Sequence, residues 1–176
     1  HQLVLDGSTS AVAAIFVEPA GERAIYFDPG ATAETTAAHV RENHAAFIER
    51  GARLSTEVHQ LPLEAVHEAL RIARAAGIAT TVDLDQAPSE AVPALGDEQT
   101  LDAVLRMADL LKPSKRGARE LLGADADTNA LSLAKRLRQR FGNRAVVVTD
   151  GEIGCAVASD EFEGAVAAPR VHAIDA

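Results

Sequence analysis

Residues 144–154 read Arg144-Ala145-Val146-Val147-Val148-Thr149-Asp150-Gly151-Glu152-Ile153-Gly154, and this stretch decides the fold. The run RAVVVT predicts a strand buried on both faces, as in a parallel sheet covered by helices. Gly151 and Gly154 punctuate the turn after it, and residues 153–158 predict the next strand. Working back from it, helical and strand periods alternate as far as residue 34. Residues 127–141 predict a helix capped by Asp127 or Thr128 and stopped by Gly142. Ser114 caps a short helix ending at Gly123. Residues 109–112, DLLK, predict a short strand before Pro113, and residues 98–108 a helix. Pro88, Pro93 and Gly96 predict a loop after the β-branched strand at residues 78–84. The clearest helix opens at Leu61-Pro62, repeats Leu63, Val66, Leu70 and Ala73, and closes at Gly77. A short strand is expected at residues 52–56 and a helix at residues 34–50. The order predicts an α/β layered sheet. At the N-terminal side, residues 11–17 and 22–27 predict an antiparallel hairpin turning at residues 18–21. Residues 171–174 predict a last strand.

Composition narrows the function classes. The 176 residues make about one domain, and a chain of this size buries roughly 70% of its unfolded surface without disulfide or metal staples. Only 3% of residues are aromatic, so the core is aliphatic and base-stacking platforms are disfavoured. The net charge of −9 disfavours nucleic acid and anionic membranes as partners. The single Cys155 fits a reducing cytoplasm. No apolar run approaches the ~20 residues that span a bilayer.

Ligands of parallel α/β sheets bind beyond the carboxyl ends of the strands. Three strand ends carry the candidates. Thr149-Asp150-Gly151-Glu152-Ile153-Gly154 is either a nucleotide-approaching loop or a plain glycine turn. It is neither a Walker A loop nor a dinucleotide fingerprint. Lys112-Pro113-Ser114-Lys115 leads into a helix N-terminus, an anion site or a capped helix with solvated lysines. Asp83 and Asp85 project to one face, to hold a cation or sugar hydroxyls, or to act as a cap and a solvated acid. The histidines show no metal spacing, and no metal ligand is assigned. The basic run at residues 135–140, KRLRQR, reads as a solvated helix face.

The order of these motifs resembles the ribokinase-like (PfkB-type) carbohydrate kinases. The residues that carry it are Gln60-Leu61-Pro62, Asp83, Asp109 to Ser114, Glu120-Leu121-Leu122-Gly123 and Val146 to Gly154. The resemblance implies one partial domain over residues 1–176. Its fold is a three-layer α/β one, a mostly parallel central sheet with helices on both faces, plus a small β lid hairpin at about residues 11–27 (including Gly21-Glu22-Arg23). It implies γ-phosphoryl transfer from ATP, with Mg²⁺, to a sugar or nucleoside hydroxyl. Thr149, Gly151 and Gly154 match the family's T-x-G-x-x-G nucleotide motif. Ser114 and Gly117 stand where the family has Asn and Glu of N-x-x-E, and Lys112 and Lys115 are expected to meet phosphate in their place. Gln60 stands at a sugar-contacting Glu position, and Asp85 joins it on the acceptor side. The family's catalytic base lies in a G-A-G-D segment, expected beyond Ala176, and its N-terminal strand is expected before residue 1. Lid strands with exposed edges imply pairing between two copies. The rival expectation is a non-catalytic nucleotide- or sugar-binding protein on the kinase fold.

Overall fold

Apolar residues fall on alternate positions of the strands and on every third or fourth position of the helices, and this pattern sorts the chain into a sheet and a helical layer. The computed structural model describes residues 4–18 and 23–170. Most of the turn expected at residues 18–21, and the strand expected at residues 171–174, lie outside the described residues. Strands β1 (Val12–Val17) and β2 (Arg23–Asp28) form an antiparallel ribbon in which Ile15 faces Ile25. There follow α1 (Ala37–Ile48), β3 (Arg53–Glu57), α2 (Leu63–Ala75), β4 (Ala79–Leu84), α3 (Pro88–Leu95) and α4 (Glu98–Met107). The chain continues through β5 (Leu110–Pro113), α5 (Lys115–Leu122), α6 (Ala130–Phe141), β6 (Ala145–Thr149), β7 (Gly154–Ser159) and β8 (Glu163–Ala167). The main sheet has the order β3-β4-β5-β6-β7-β8. Its first four strands are parallel and the last two antiparallel. The α/β sheet with its separate hairpin is the architecture expected from the sequence.

Burial alternates along the strands. Val82, Leu84, Leu111, Val146 and Val148 are fully buried. They pack with Leu63, Val66 and Leu70 of α2, Leu101, Val104 and Leu105 of α4, and Leu133, Leu137 and Phe141 of α6. Each fully buried leucine contributes about 2 kcal/mol. The intervening Thr81, Asp83, Leu110, Lys112, Val147 and Thr149 are half-buried and lie outside this core. The strand at residues 144–149 was expected to be buried on both faces. Instead only Val146 and Val148 of β6 are fully buried, because α5 and α6 meet the sheet on their side.

Three local readings differ from the structure. The loop expected around Pro88 and Pro93 contains α3. Pro88 occupies the first helical position, where its missing N–H costs nothing. Pro93 removes one bond within the helix, and Ala91, Val92 and Leu95 compensate by packing on the core. The cap of α6 is Asn129, which accepts from the Ser132 amide at 2.8 Å, and not Asp127 or Thr128. The basic run on α6 is not simply solvated. Lys135 pairs with Glu163 and Arg138 with Asp160, both at 2.5 Å. The Arg140 guanidinium donates to the Leu121 carbonyl and lies 5.0 Å from the centre of the Phe141 ring. This run therefore fastens α6 to β8 and α5.

Glu68 of α2, only 5% exposed, holds α1 against α2. It accepts from Arg71 at 2.7 and 2.8 Å and from Arg41 of α1 at 2.9 Å. The Arg71 bonds foremost, with those from Arg41, hold its carboxyl at about 2, below the ordinary 4.5, against the cost of burial. A depressed carboxylate stabilises the fold above its unfolded value, and that stability drains away as pH falls towards the folded value. Glu68→Gln should lower Tm at pH 7. The gap to wild type should narrow as pH drops from 4.5 towards 2. Thermal melts across that range check this, and a gap constant with pH would contradict it.

Candidate functional site

The parallel order of β3 to β6 brings four chain segments to one edge of the sheet. Gln60 follows β3, Asp85 follows β4, Lys112 and Ser114 lie at the end of β5, and Thr149 ends β6. Adjacent strands are about 4.8 Å apart, so β3 and β6 stand roughly 14 Å apart across the sheet. The sequence-predicted residues are thus gathered on one edge, but not into one cluster. Asp85, Lys112, Ser114, Lys115 and Thr149 occupy its centre. Gln60 lies to one side, and Gly151 with Gly154 to the other.

Ser114 organises the centre. Its amide donates to the Leu84 carbonyl at 3.1 Å, and its backbone bridges to Thr149. Its hydroxyl donates to the Asp85 carbonyl at 3.3 Å and accepts from the Gly117 amide at 3.2 Å, capping α5. Three strand ends and one helix N-terminus therefore meet at one residue. At Gly117, an added Cβ would lie 3.4 Å from the Ser114 Oγ, an ordinary contact.

Both candidate lysines are paired. Lys112 Nζ lies 2.7 Å from Asp83, its register partner on β4. Lys115 Nζ lies 2.8 Å from Asp150 in the turn after β6. Asp83 and Asp85 were expected to project to one face, either to hold a cation or sugar hydroxyls together or to act as a cap and a solvated acid. The structure instead commits Asp83 to Lys112, while Asp85 lies beyond the end of β4 and is exposed. The pairs hold each lysine at a fixed place beside the strand ends. Neither Asp150 nor the cross-strand pairing was singled out from the sequence, because both depend on strand register.

The described residues do not fit a magnesium ion held by protein ligands. Among them no group of three acidic, histidine or cysteine side chains converges. The Ser114 hydroxyl is spent on the cap, and Gly117 offers no side chain. Asp83 and Asp150 already face lysines.

The two glycines after β6 differ. Gly151 has φ +55° and no atom within 4 Å of an added Cβ. At Gly154, φ is +118° and an added Cβ would fall 2.1 Å from the Val166 carbonyl oxygen of β8. Gly154 is therefore required by the close passage of β8, and Gly151 only by its left-handed backbone. Gly151 is the open element of this loop, available to an approaching ligand.

The ribbon presents its large side chains to solvent. Val12, Ile15, Phe16, Ile25 and Tyr26 are all at least half exposed. At its base, Phe27 meets His59, which follows β3.

A family model described as pfkB family carbohydrate kinase matches residues 1–176. Among solved structures, that of Sa239 superposes with a TM-score of 0.76 at 26% identity, over 97% of this chain and 53% of its own. The ribokinase of Thermotoga maritima gives 0.72 at 18% identity, over 96% and 51%. The adenosine kinase of Sinorhizobium meliloti gives 0.72 at 22% identity, over 97% and 51%. The chain thus spans about half the length of the structures it matches. The likeness to the last two shows the fold alone.

Substituting the two glycines should separate their roles. Gly151→Ala should cost about 1 kcal/mol, the strain of a left-handed alanine. Gly154→Ala should cost more than about 2 kcal/mol, because the β8 backbone must move. Chemical denaturation of both variants checks this. Equal losses would contradict it.

Proposed function

The chain belongs to the pfkB family of carbohydrate kinases, and from that premise we propose that it is part of an ATP-dependent sugar kinase. The observation that carries the reading is the carboxyl edge. A glycine turn lies at one end of it, a lysine-flanked helix N-terminus at the centre, and the ribbon with Gln60 at the other. The described elements are one ribokinase-like domain, with the ribbon as its lid.

Phosphoryl transfer depends on positioning and on neutralising charge. The nucleotide approaches the turn of Thr149 and Gly151, with Gly154 shaping its backbone. The free amides of α5 and the ammonium groups of Lys112 and Lys115 face phosphate, each lysine oriented beforehand by its aspartate. The acceptor hydroxyl lies towards Asp85 and Gln60, under the ribbon. Magnesium, for which the described residues converge in no ligand set, would be held by the nucleotide's own phosphates and would supply charge neutralisation there. The base that takes the hydroxyl proton is not assigned to any residue of this chain. The apolar outer surface of the ribbon supports pairing with a second copy through the lid. No helix among the described residues is long and apolar enough to cross a membrane, and the lone Cys155 supports a cytoplasmic setting.

A second reading rests on Ser114 and Gly117. With one hydroxyl spent on a cap and the other side chain absent, the chain would bind nucleotide or sugar without transferring phosphate. ATP-dependent phosphorylation of a panel of sugars and nucleosides, by the whole protein of which this chain is proposed to be part, decides between them. The kinase reading expects turnover, and nucleotide binding without turnover of any acceptor would overturn it. Lys115→Ala should raise the KM for ATP about tenfold, the loss of one charge-assisted contact of about 1.4 kcal/mol. An unchanged KM and kcat would remove Lys115 from the phosphate site.

A further inference from the structure

On the helical face of the sheet, α3, α4, α5 and α6 converge without closing, and a cavity of about 490 Å³ lies between them. That volume is in the range of small-molecule sites. None of the edge residues Gln60, Asp85, Lys112, Ser114, Lys115 and Thr149 lines it. Burial separates its floor from its rim. Leu101, Leu105 and Phe141 are buried and make an apolar floor, with Val92 and Leu121 half-buried beside them. Glu98 of α4 and Glu120 of α5 are exposed at the rim, and Asp102 is half-buried. The charges are unequally matched. Arg140 lines the cavity, but its guanidinium already donates to the Leu121 carbonyl and lies over the Phe141 ring. Arg106 pairs with Asp102 at 2.6 Å. Glu120 accepts from the Ser89 amide and, at 3.1 Å, from the Ser89 hydroxyl. Three carboxylates thus face two guanidinium groups that are both engaged. Glu98 is the carboxylate left over: its side chain has no ion pair or hydrogen bond among the described residues.

We infer that this cavity is a ligand site separate from the carboxyl edge, and that it takes a small organic cation, one ammonium group on an apolar body. The body covers the floor of Leu101, Leu105 and Phe141, and the ammonium meets Glu98 at the rim with Glu120 beside it. A neutral apolar molecule would gain the floor and leave Glu98 unpaired. An anion would meet the excess of carboxylate with both guanidinium groups already spent. A cation without an apolar body would gain nothing from the floor, whose favourable term is the apolar area removed from water. An acid in the first turn of a helix is favourable in itself, and Glu98 stands in the first turn of α4. Its place on the cavity wall is what makes that charge available to a ligand. The inference does not rest on the kinase reading, because no edge residue takes part in it.

The test uses the whole protein of which this chain is proposed to be part, labelled with ¹⁵N, and follows its amide signals at pH 7 on addition of phenethylamine. Phenethyl alcohol and phenylacetate carry the same ring on a neutral and a negative head. Phenethylamine should move signals of residues 88–93, 98–105 and 120–121 and saturate with a Kd below about 1 mM. Both controls should bind about tenfold more weakly, for want of the charge-assisted contact. Glu98→Gln should weaken the amine about fivefold, as for an ion pair near the surface, and leave the alcohol within about twofold. Glu98→Lys should remove amine binding. Glu98 is exposed, so neither variant alters the core, and melting curves show that each is folded. Equal affinity for amine and alcohol, an amine affinity that neither variant changes, signals that move only at the carboxyl edge, or no saturable binding of the amine would overturn the inference.

Discussion

Everything at the carboxyl edge depends on how Ser114 is held. Its amide is taken by Leu84 of β4, its backbone bridges to Thr149 of β6, and its hydroxyl both caps α5 and reaches the Asp85 carbonyl. One small residue thereby fixes the relative positions of three strand ends and the start of a helix. The buried leucines and valines beneath give the sheet its stability. This junction converts that stability into a defined edge.

Charge is arranged on the same edge in opposite-sign pairs. Asp83–Lys112 crosses from β4 to β5, and Lys115–Asp150 crosses from α5 to the turn after β6. Partly exposed pairs of this kind contribute little to stability, on the order of 1 kcal/mol or less. Their consequence is orientation. A lysine held by an aspartate stays extended towards the strand ends, and an incoming anion competes for a charge already in place. Each pair is locally neutral, so the two ammonium groups are kept on this edge in a protein whose net charge is −9.

The sequence was most legible where burial follows a single period. Leu63, Val66, Leu70 and Ala73 mark α2, and all four are buried. The Ser114 cap and the Gly123 stop of α5 were equally readable, because each rests on one residue's local geometry. Helix α3 was hidden by its two prolines, since its stability comes from Ala91, Val92 and Leu95 packing on a distant core. Strand β8, EGAVA, carries small residues with a weak strand signal and is held by its pairing to β7. The candidate residues themselves were found from motif order. Their pairings were not, because Asp83 meets Lys112 only through strand register and Lys115 meets Asp150 across 35 positions of chain.

The central claim is that one sheet edge is divided between two ligands, nucleotide at β6 and acceptor at β3. Amide hydrogen exchange followed by mass spectrometry, with ADP alone and with an acceptor sugar alone, tests it most directly. The account predicts that ADP slows exchange in residues 114–118 and 149–154, and that sugar slows it in residues 57–61 and in the lid strands. Protection of the same residues by both ligands, or protection confined to the helical face, would contradict it.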